Sequence, residues 1–331
     1  MLRILDENNV KTHCPIALVD WTNEEGARFP GAMMCSGVWS TKSSMTLEDC
    51  YRVTDPDGID MQSALEKIDY LGPTPCDYRE NGLECHFELH IEQGPKLETA
   101  SKRVGIVTAV QGMKWFAVRV TGVEGHSGTA PMGTRSDALV TASRLIATVR
   151  DTAVATSLGV ATVGVIKNDT QSQATIPSGV EFIIDVRCST DEMVDKLCTA
   201  IFENFDVIIQ NEDNQTSYEI VRTWGLPESQ FDSRCIEVVR AAAVEALNLS
   251  SVPKPEDRIM DMKSGAGHDS AWTSRVVPTS MIFVPSRGGI SHNPNEFTSP
   301  EDCTLGAQVL LGAVLRYDSL MANGSSFESQ L

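Results

Sequence analysis

The sequence of 331 residues predicts an α/β protein with a smaller, ferredoxin-like α+β module inserted into it. Three observations carry that expectation. Apolar strand patterns alternate with helical ones in the first and last thirds of the chain. The middle third changes texture and reads β-α-β-β-α-β, the order of a split βαβ unit. The length, at ~150 residues per domain, is that of two domains. The expected boundaries are 1–111 and 224–331 for a discontinuous α/β domain, and 112–223 for the inserted module.

Residues 1–9 read as the end of an amphipathic helix. Residues 16–21 (IALVDW) form a short apolar run, as expected of a strand buried on both faces in a parallel sheet. A polar turn (TNEEGARFPG) follows, then a helix over 31–40 and an amphipathic helix over 61–71. Residues 85–92 (CHFELHIE) alternate, with Phe87, Leu89 and Ile91 on one face and His86, Glu88, His90 and Glu92 on the other. Gly94-Pro95 stops that strand. Strands are expected at 115–121, 160–167, 180–187 and 217–223, with helices over 136–151 and 191–204. Beyond Trp224 the pattern predicts a helix at 232–247, a strand near 258–262 and a helix near 268–274. A strand at 280–284 and a last helix at 300–317 complete the set, and the tail from 323 is expected to fray.

Lys and Arg number 27 against 45 Asp and Glu, a net charge of −18. So acidic a chain repels phosphate backbones and anionic lipid, which argues against nucleic-acid and membrane roles. No apolar run approaches the ~20 residues of a membrane span, and the first residues lack a signal-peptide core. The nine cysteines are scattered and never spaced CxxC, which fits reduced thiols in the cytoplasm rather than a disulfide framework or a thiolate zinc site.

In open α/β sheets ligands bind beyond the carboxyl ends of strands. Glu24-Glu25 follows the 16–21 run, His90 to Gly94 ends the 85–92 strand, and Ser286 to His292 follows the 280–284 strand. A fourth cluster, Ser264 to Asp269, follows the 258–262 strand. Taken singly, each has a bland reading: helix-start charges, a solvated strand face, a loop histidine. Together they place His and Glu sets at one sheet edge. Imidazole nitrogen and carboxylate oxygen suit zinc, and a second carboxylate beside a ligand is what a water activated there needs as its general base.

The strings WTNEEGARFPG, ELHIEQGPKLE, GHSGTAPM, SGAGHDSAW and MIFVPSRGGISHNPNE resemble the M20-type metal-dependent amidohydrolases. The branch is that of N-carbamoyl-L-amino-acid hydrolase, β-ureidopropionase and allantoate amidohydrolase. The resemblance covers nearly the whole chain in order. It implies a zinc-exopeptidase-like (phosphorylase/hydrolase-like) metal domain, an inserted lid and dimerisation domain, and two divalent metals per subunit, zinc or manganese, cobalt or nickel. It implies that Glu24 is the general base, and that Glu25, His90 and His292 are metal ligands. It further implies that Gln93 and Arg187 bind substrate, with Arg187 gripping a carboxylate. His126 would reach the partner subunit of a homodimer, contacting substrate and stabilising the oxyanion. The substrates implied are small N-carbamoyl amino acids or related ureido acids, with allantoate, peptides and acylated amino acids as alternatives.

Two departures from the family pattern stand out. Where the family has Asn-x-Ile-Pro, this chain has Ala174-Thr175-Ile176-Pro177. The family's first His and Asp metal motifs lie upstream of the NEEG turn, and neither His13 nor Asp6 nor Asp20 has their glycine-rich setting. The expectation is a chain lacking the N-terminal segment of an active enzyme, with a catalytically inactive dimerisation partner as the rival.

Overall fold

The computed structural model describes residues 1–211 and 215–323, so the tail beyond Asn323 lies outside the described residues. The chain divides into two compact units, residues 1–110 with 229–331, and residues 111–228.

The first unit holds α1 (Leu2–Glu7), α2 (Met34–Ser40), α3 (Leu47–Arg52), α4 (Met61–Lys67), β1 (His86–Ile91), α5 (Lys96–Thr99) and β2 (Val104–Val110). The second holds β3 (Gly112–Thr121), β4 (Gly125–His126), α6 (Ala138–Thr156), β5 (Gly159–Asn168), β6 (Thr175–Ile176), β7 (Gly179–Cys188), α7 (Asp191–Asn211) and β8 (Ser217–Leu226). The chain then returns to the first unit through β9 (Ser229–Gln230), α8 (Ser233–Leu249), β10 (Ile259–Ser264), α9 (Ser270–Thr273), β11 (Thr279–Val284) and α10 (Pro300–Asn323).

The sheet of the first unit runs β1-β11-β2-β10, with β9 against β2. β1 is parallel to β11 and β10 to β2, but β11 and β2 are antiparallel. The sheet is therefore mixed. Every residue of β11 is buried, which is why it reads as a continuous apolar run rather than an alternating one. α8 and α10 pack on the sheet through Val238, Val239, Ala242, Val309 and Ala313, against Val104, Ile106 and Ile282. The Asp232 carboxylate accepts from the Arg234 and Cys235 amides and starts α8.

Residues 16–21 correct the sequence reading. They form no strand, and Leu18 is 78% exposed. A strand is stable only with a ladder partner, and this segment has none among the described residues. Helix expectations shift too: the one over 31–40 begins at Met34, and the one over 61–71 ends at Lys67. Besides the short α5, β4, β6 and β9, β2 and α3 go beyond the expected set. β2 (VGIVTAV) has no alternation to mark it, and α3 is fixed by a local capping box between Thr46 and Asp49.

The second unit is a four-stranded antiparallel sheet in the order β5-β7-β3-β8, the ferredoxin-like arrangement. α6 and α7 cover one face. Leu145, Val149, Leu197, Ile201 and Phe205 meet Val118, Phe182 and Ile184 in a dry core. Period-two alternation on β3 and β7 supplies that core face.

Candidate metal centre

Backbone geometry in the first unit brings the acidic and histidine residues together. β1 and β11 run parallel, so the segments leaving them, 90–95 and 286–292, emerge at the same end of the sheet. β10 runs the other way relative to β11, because it pairs in parallel with β2 and β2 is antiparallel to β11. Its carboxyl end therefore lies away from those of β1 and β11. The segment after Ser264 brings His268 back onto the sheet, where its ring sits 5.5 Å from Phe283 and 4.4 Å from His90, centroid to centroid.

The NEEG turn is self-supporting. The Asn23 side-chain amide donates to the carbonyls of Phe29 (3.1 Å) and Gly31 (2.7 Å), and the Met33 amide donates to the Glu24 carbonyl at 2.9 Å. Gly26 has φ +66°, and a Cβ there would lie 2.8 Å from the Gly31 carbonyl oxygen. Only glycine fits that position.

His90 donates from Nδ1 to the Ile91 carbonyl at 2.8 Å, which turns Nε2 toward the carboxylates. Nε2 lies 3.3 Å from Glu25 Oε1 and 4.0 Å from Glu24 Oε2. His292 Nε2 lies 3.1 Å from Glu25 Oε2, and the Gln93 side-chain Nε2 donates to Glu25 Oε1 at 3.0 Å. Glu25 thus bridges His90 and His292. The Ser264 hydroxyl donates to the Ala266 carbonyl, so it accepts from His268 Nε2 at 2.9 Å. His268 Nδ1 then faces Glu24 Oε1 at 3.7 Å. One donor atom each from Glu24, His90 and His268 lies within 4.8 Å of the others.

The two adjacent carboxylates behave differently. Burial and the Glu25 charge push Glu24 up to about 7, against the pull of His90 and His292. Glu25 is held below its ordinary value, first by its hydrogen bond with His90. For His90, burial opposes a charge, but the bonds to Glu25 and the Ile91 carbonyl, with the Glu88 and Glu24 charges, raise it to about 9. His86, fully enclosed on the same strand, is driven down to about 4 by burial. Beneath the cluster Asp269 is buried, takes a hydrogen bond from Ser36 and is pushed well up by that burial.

Imidazole nitrogens and carboxylate oxygens converging at these separations are the donor set of a divalent metal. The cluster fits such an ion through Glu24, His90 and His268, whose donor atoms converge, with Glu25 beside them.

Glu24, Glu25, His90, Gln93 and His292 therefore meet in one place. His268 joins them, and no role is expected of it from sequence. Its signal lay in the SGAGHD string, but the string names no role without the fold that turns it back over the sheet.

His126 and Arg187 belong to the second unit. His126 is exposed on β4 and accepts at Nδ1 from the Gly128 amide at 3.1 Å. β4 pairs with β6, the strand that contains Thr175-Ile176 of the stretch that departs from the family pattern. Arg187, on β7, forks onto Asp185, with Nε 3.0 Å from Oδ1 and Nη2 2.7 Å from Oδ2.

The chain's residues 1–316 match the model of peptidase family M20/M25/M40. The chain belongs to that family. An N-carbamoyl-L-amino-acid amidohydrolase of Rhizobium meliloti is 36% identical over 315 residues, covering 95% of this chain and 72% of the relative. One from Geobacillus stearothermophilus is 32% identical, covering 95% and 74%. An allantoate amidohydrolase of Bacillus subtilis is 31% identical, covering 88% and 68%. A crystal structure of a hydantoinase/carbamoylase-family amidase from Burkholderia vietnamiensis superposes with a TM-score of 0.82 at 37% identity, covering 95% of this chain and 73% of that one. This M20 chain is an enzyme, a hydrolase of amide-type bonds. No described helix is long and apolar enough to cross a membrane.

Proposed function

We propose that this M20 enzyme hydrolyses the linear C–N bond of N-carbamoyl amino acids or related ureido acids, with Glu24 as general base. The observation that carries the reading is the pairing of two neighbouring carboxylates with different tasks. Glu25 joins His90 and His292 and stays ionised, while Glu24 beside it sits near 7. A base poised near the working pH takes and returns protons efficiently.

Glu25, His90 and His292 are the proposed metal ligands, and His268 faces the same space. A divalent ion held there supplies Lewis acidity that polarises the scissile carbonyl and acidifies water. Glu24 accepts the proton of the attacking water and delivers it to the leaving nitrogen. Gln93 and Arg187 are proposed to hold the substrate, Arg187 through its planar guanidinium on the carboxylate. His126 is proposed to stabilise the oxyanion from the partner subunit of a homodimer formed through the second unit. A carbamoyl substrate and one water give the free amino acid, ammonia and carbon dioxide.

Glu24→Gln is expected to lower kcat by about 10²- to 10⁴-fold while leaving metal content at the wild-type level. Retained turnover would remove Glu24 from the base role. The relatives include allantoate amidohydrolases, so a panel of N-carbamoyl-L-amino acids, N-carbamoyl-β-alanine and allantoate decides the substrate.

A further inference from the structure

Two segments bear proposed ligands on the β1 and β11 side of the centre: 90–95, with His90, and 286–292, ending in His292. The second winds through left-handed backbone. Gly288, Gly289 and His292 all have positive φ (+64°, +67° and +54°). Its far side is anchored: the Arg287 amide donates to the Phe297 carbonyl at 2.9 Å and its guanidinium lies 4.5 Å from the Phe297 ring. Its near side is held from the first segment. Buried Ser286 accepts from the Gln93 amide at 3.1 Å. The Glu98 carboxylate, on α5, accepts from the Gly288 amide at 2.7 Å. A Cβ on Gly289 would lie 2.6 Å from the Pro95 nitrogen and 2.8 Å from the Gly94 carbonyl carbon, so here backbone rests on backbone.

α5 is itself tied to the ligand strand. The buried Glu92 carboxylate accepts from the Lys96 and Leu97 amides at 2.8 Å each, two residues beyond His90. A continuous path therefore runs from His90 through Glu92, α5 and Glu98 to Gly288 and His292.

We infer that Glu98 is a positioning residue, which with the bare backbone of Gly289 sets the separation of His292 from His90 across Glu25. Glu98 touches neither substrate nor ligand; it acts through the Gly288 amide. Groups bonded directly to metal ligands change metal affinity by about 10- to 100-fold when removed, and Glu98, one step further out, belongs at the low end of that range. Glu98 and Gly288 are both exposed, so substitution at 98 leaves the core intact.

The inference rests on the metal reading above, and its test keeps the two apart. Zn2+ affinity is measured by competition with a chromophoric chelator for the wild type, Glu98→Ala, Glu98→Gln and Gly289→Ala, beside melting of each metal-free protein. Glu98→Ala is expected to bind Zn2+ about tenfold more weakly with an unchanged Tm. Glu98→Gln, whose amide oxygen still accepts from Gly288, stays within about twofold. Gly289→Ala, which wedges the segments apart, weakens binding as Glu98→Ala does. Wild-type affinity in Glu98→Ala overturns the inference, as does a loss in Glu98→Gln equal to that in Glu98→Ala. A wild type that binds no Zn2+ overturns the metal reading, and this inference with it.

Discussion

Glu24 and Glu25 share a peptide bond yet hold protons with different affinity. Glu24 is enclosed and repelled by its neighbour, whereas Glu25 is gripped by imidazoles. The same contacts set the pH response of the metal-free protein. His90 titrates near 9 when folded, above its ordinary 6.5, so its contribution is fully present below pH 6.5 and is lost as the pH climbs through 9. Glu24, raised from 4.5 to about 7, keeps a proton that the unfolded chain has already released. Stability therefore also declines as pH rises, over 4.5 to 7. His86, lowered from 6.5 to about 4, acts in the opposite sense between pH 4 and 6.5 and is neutral in both states above that. Thermal melts in chelator should give a Tm that falls between pH 7 and 9; a flat or rising Tm contradicts the His90–Glu25 pairing. Metal competes with the His90 proton, so apparent metal affinity should climb over the same interval.

Close approach between elements is set by small residues in the first unit. A Cβ on Gly306 of α10 would lie 2.7 Å from Leu89 Cδ1 and 2.8 Å from Val284 Cγ1, so the helix rests almost directly on β1 and β11. Gly306→Ala should cost about 1–3 kcal/mol in urea unfolding through overpacking. Metal stoichiometry should stay unchanged, because the contact is on the side chains of Leu89 and Val284 and not on the ligands. Unaltered stability would mean that the helix can retreat freely from the sheet. Residues 16–21 show the converse. Their composition is that of a buried strand, but burial needs a neighbour on the ladder, and Leu18 points to solvent. Composition reports what a segment tolerates; hydrogen-bond partners decide what it becomes.

Across the whole molecule, chemistry and mass are unequally distributed. The candidate metal cluster lies, among the described residues, in the first unit, while the second has its own apolar core around Phe182 and Phe205. Hydrogen exchange with and without added Zn2+ should show protection gained at 22–25, 90–93, 265–269 and 286–292, and none at the amides of Phe182 and Phe205. Protection confined to the second unit would move the metal elsewhere.

Much of this was legible in the chain itself. Alternation over 86–91 put His86, Glu88 and His90 on one face, and local texture separated the ferredoxin-like unit from its host, because periods of 2.0 and 3.6 are properties of consecutive residues. The HIEQG and GGISHNP strings drew attention to His90, Gln93 and His292, which the fold brings to one place. The mixed sheet, the idle 16–21 run and the role of the backbone at Gly289 were not legible, since each depends on which distant segment lies alongside. His268 is the sharpest case. Its string was conspicuous, but its strand runs opposite to β11, and only the turn back across Phe283 aims its ring at Glu24. Sequence determined the local periods and the donor chemistry. Tertiary structure decided which donors meet, because a metal centre is a set of distances between residues far apart in the chain.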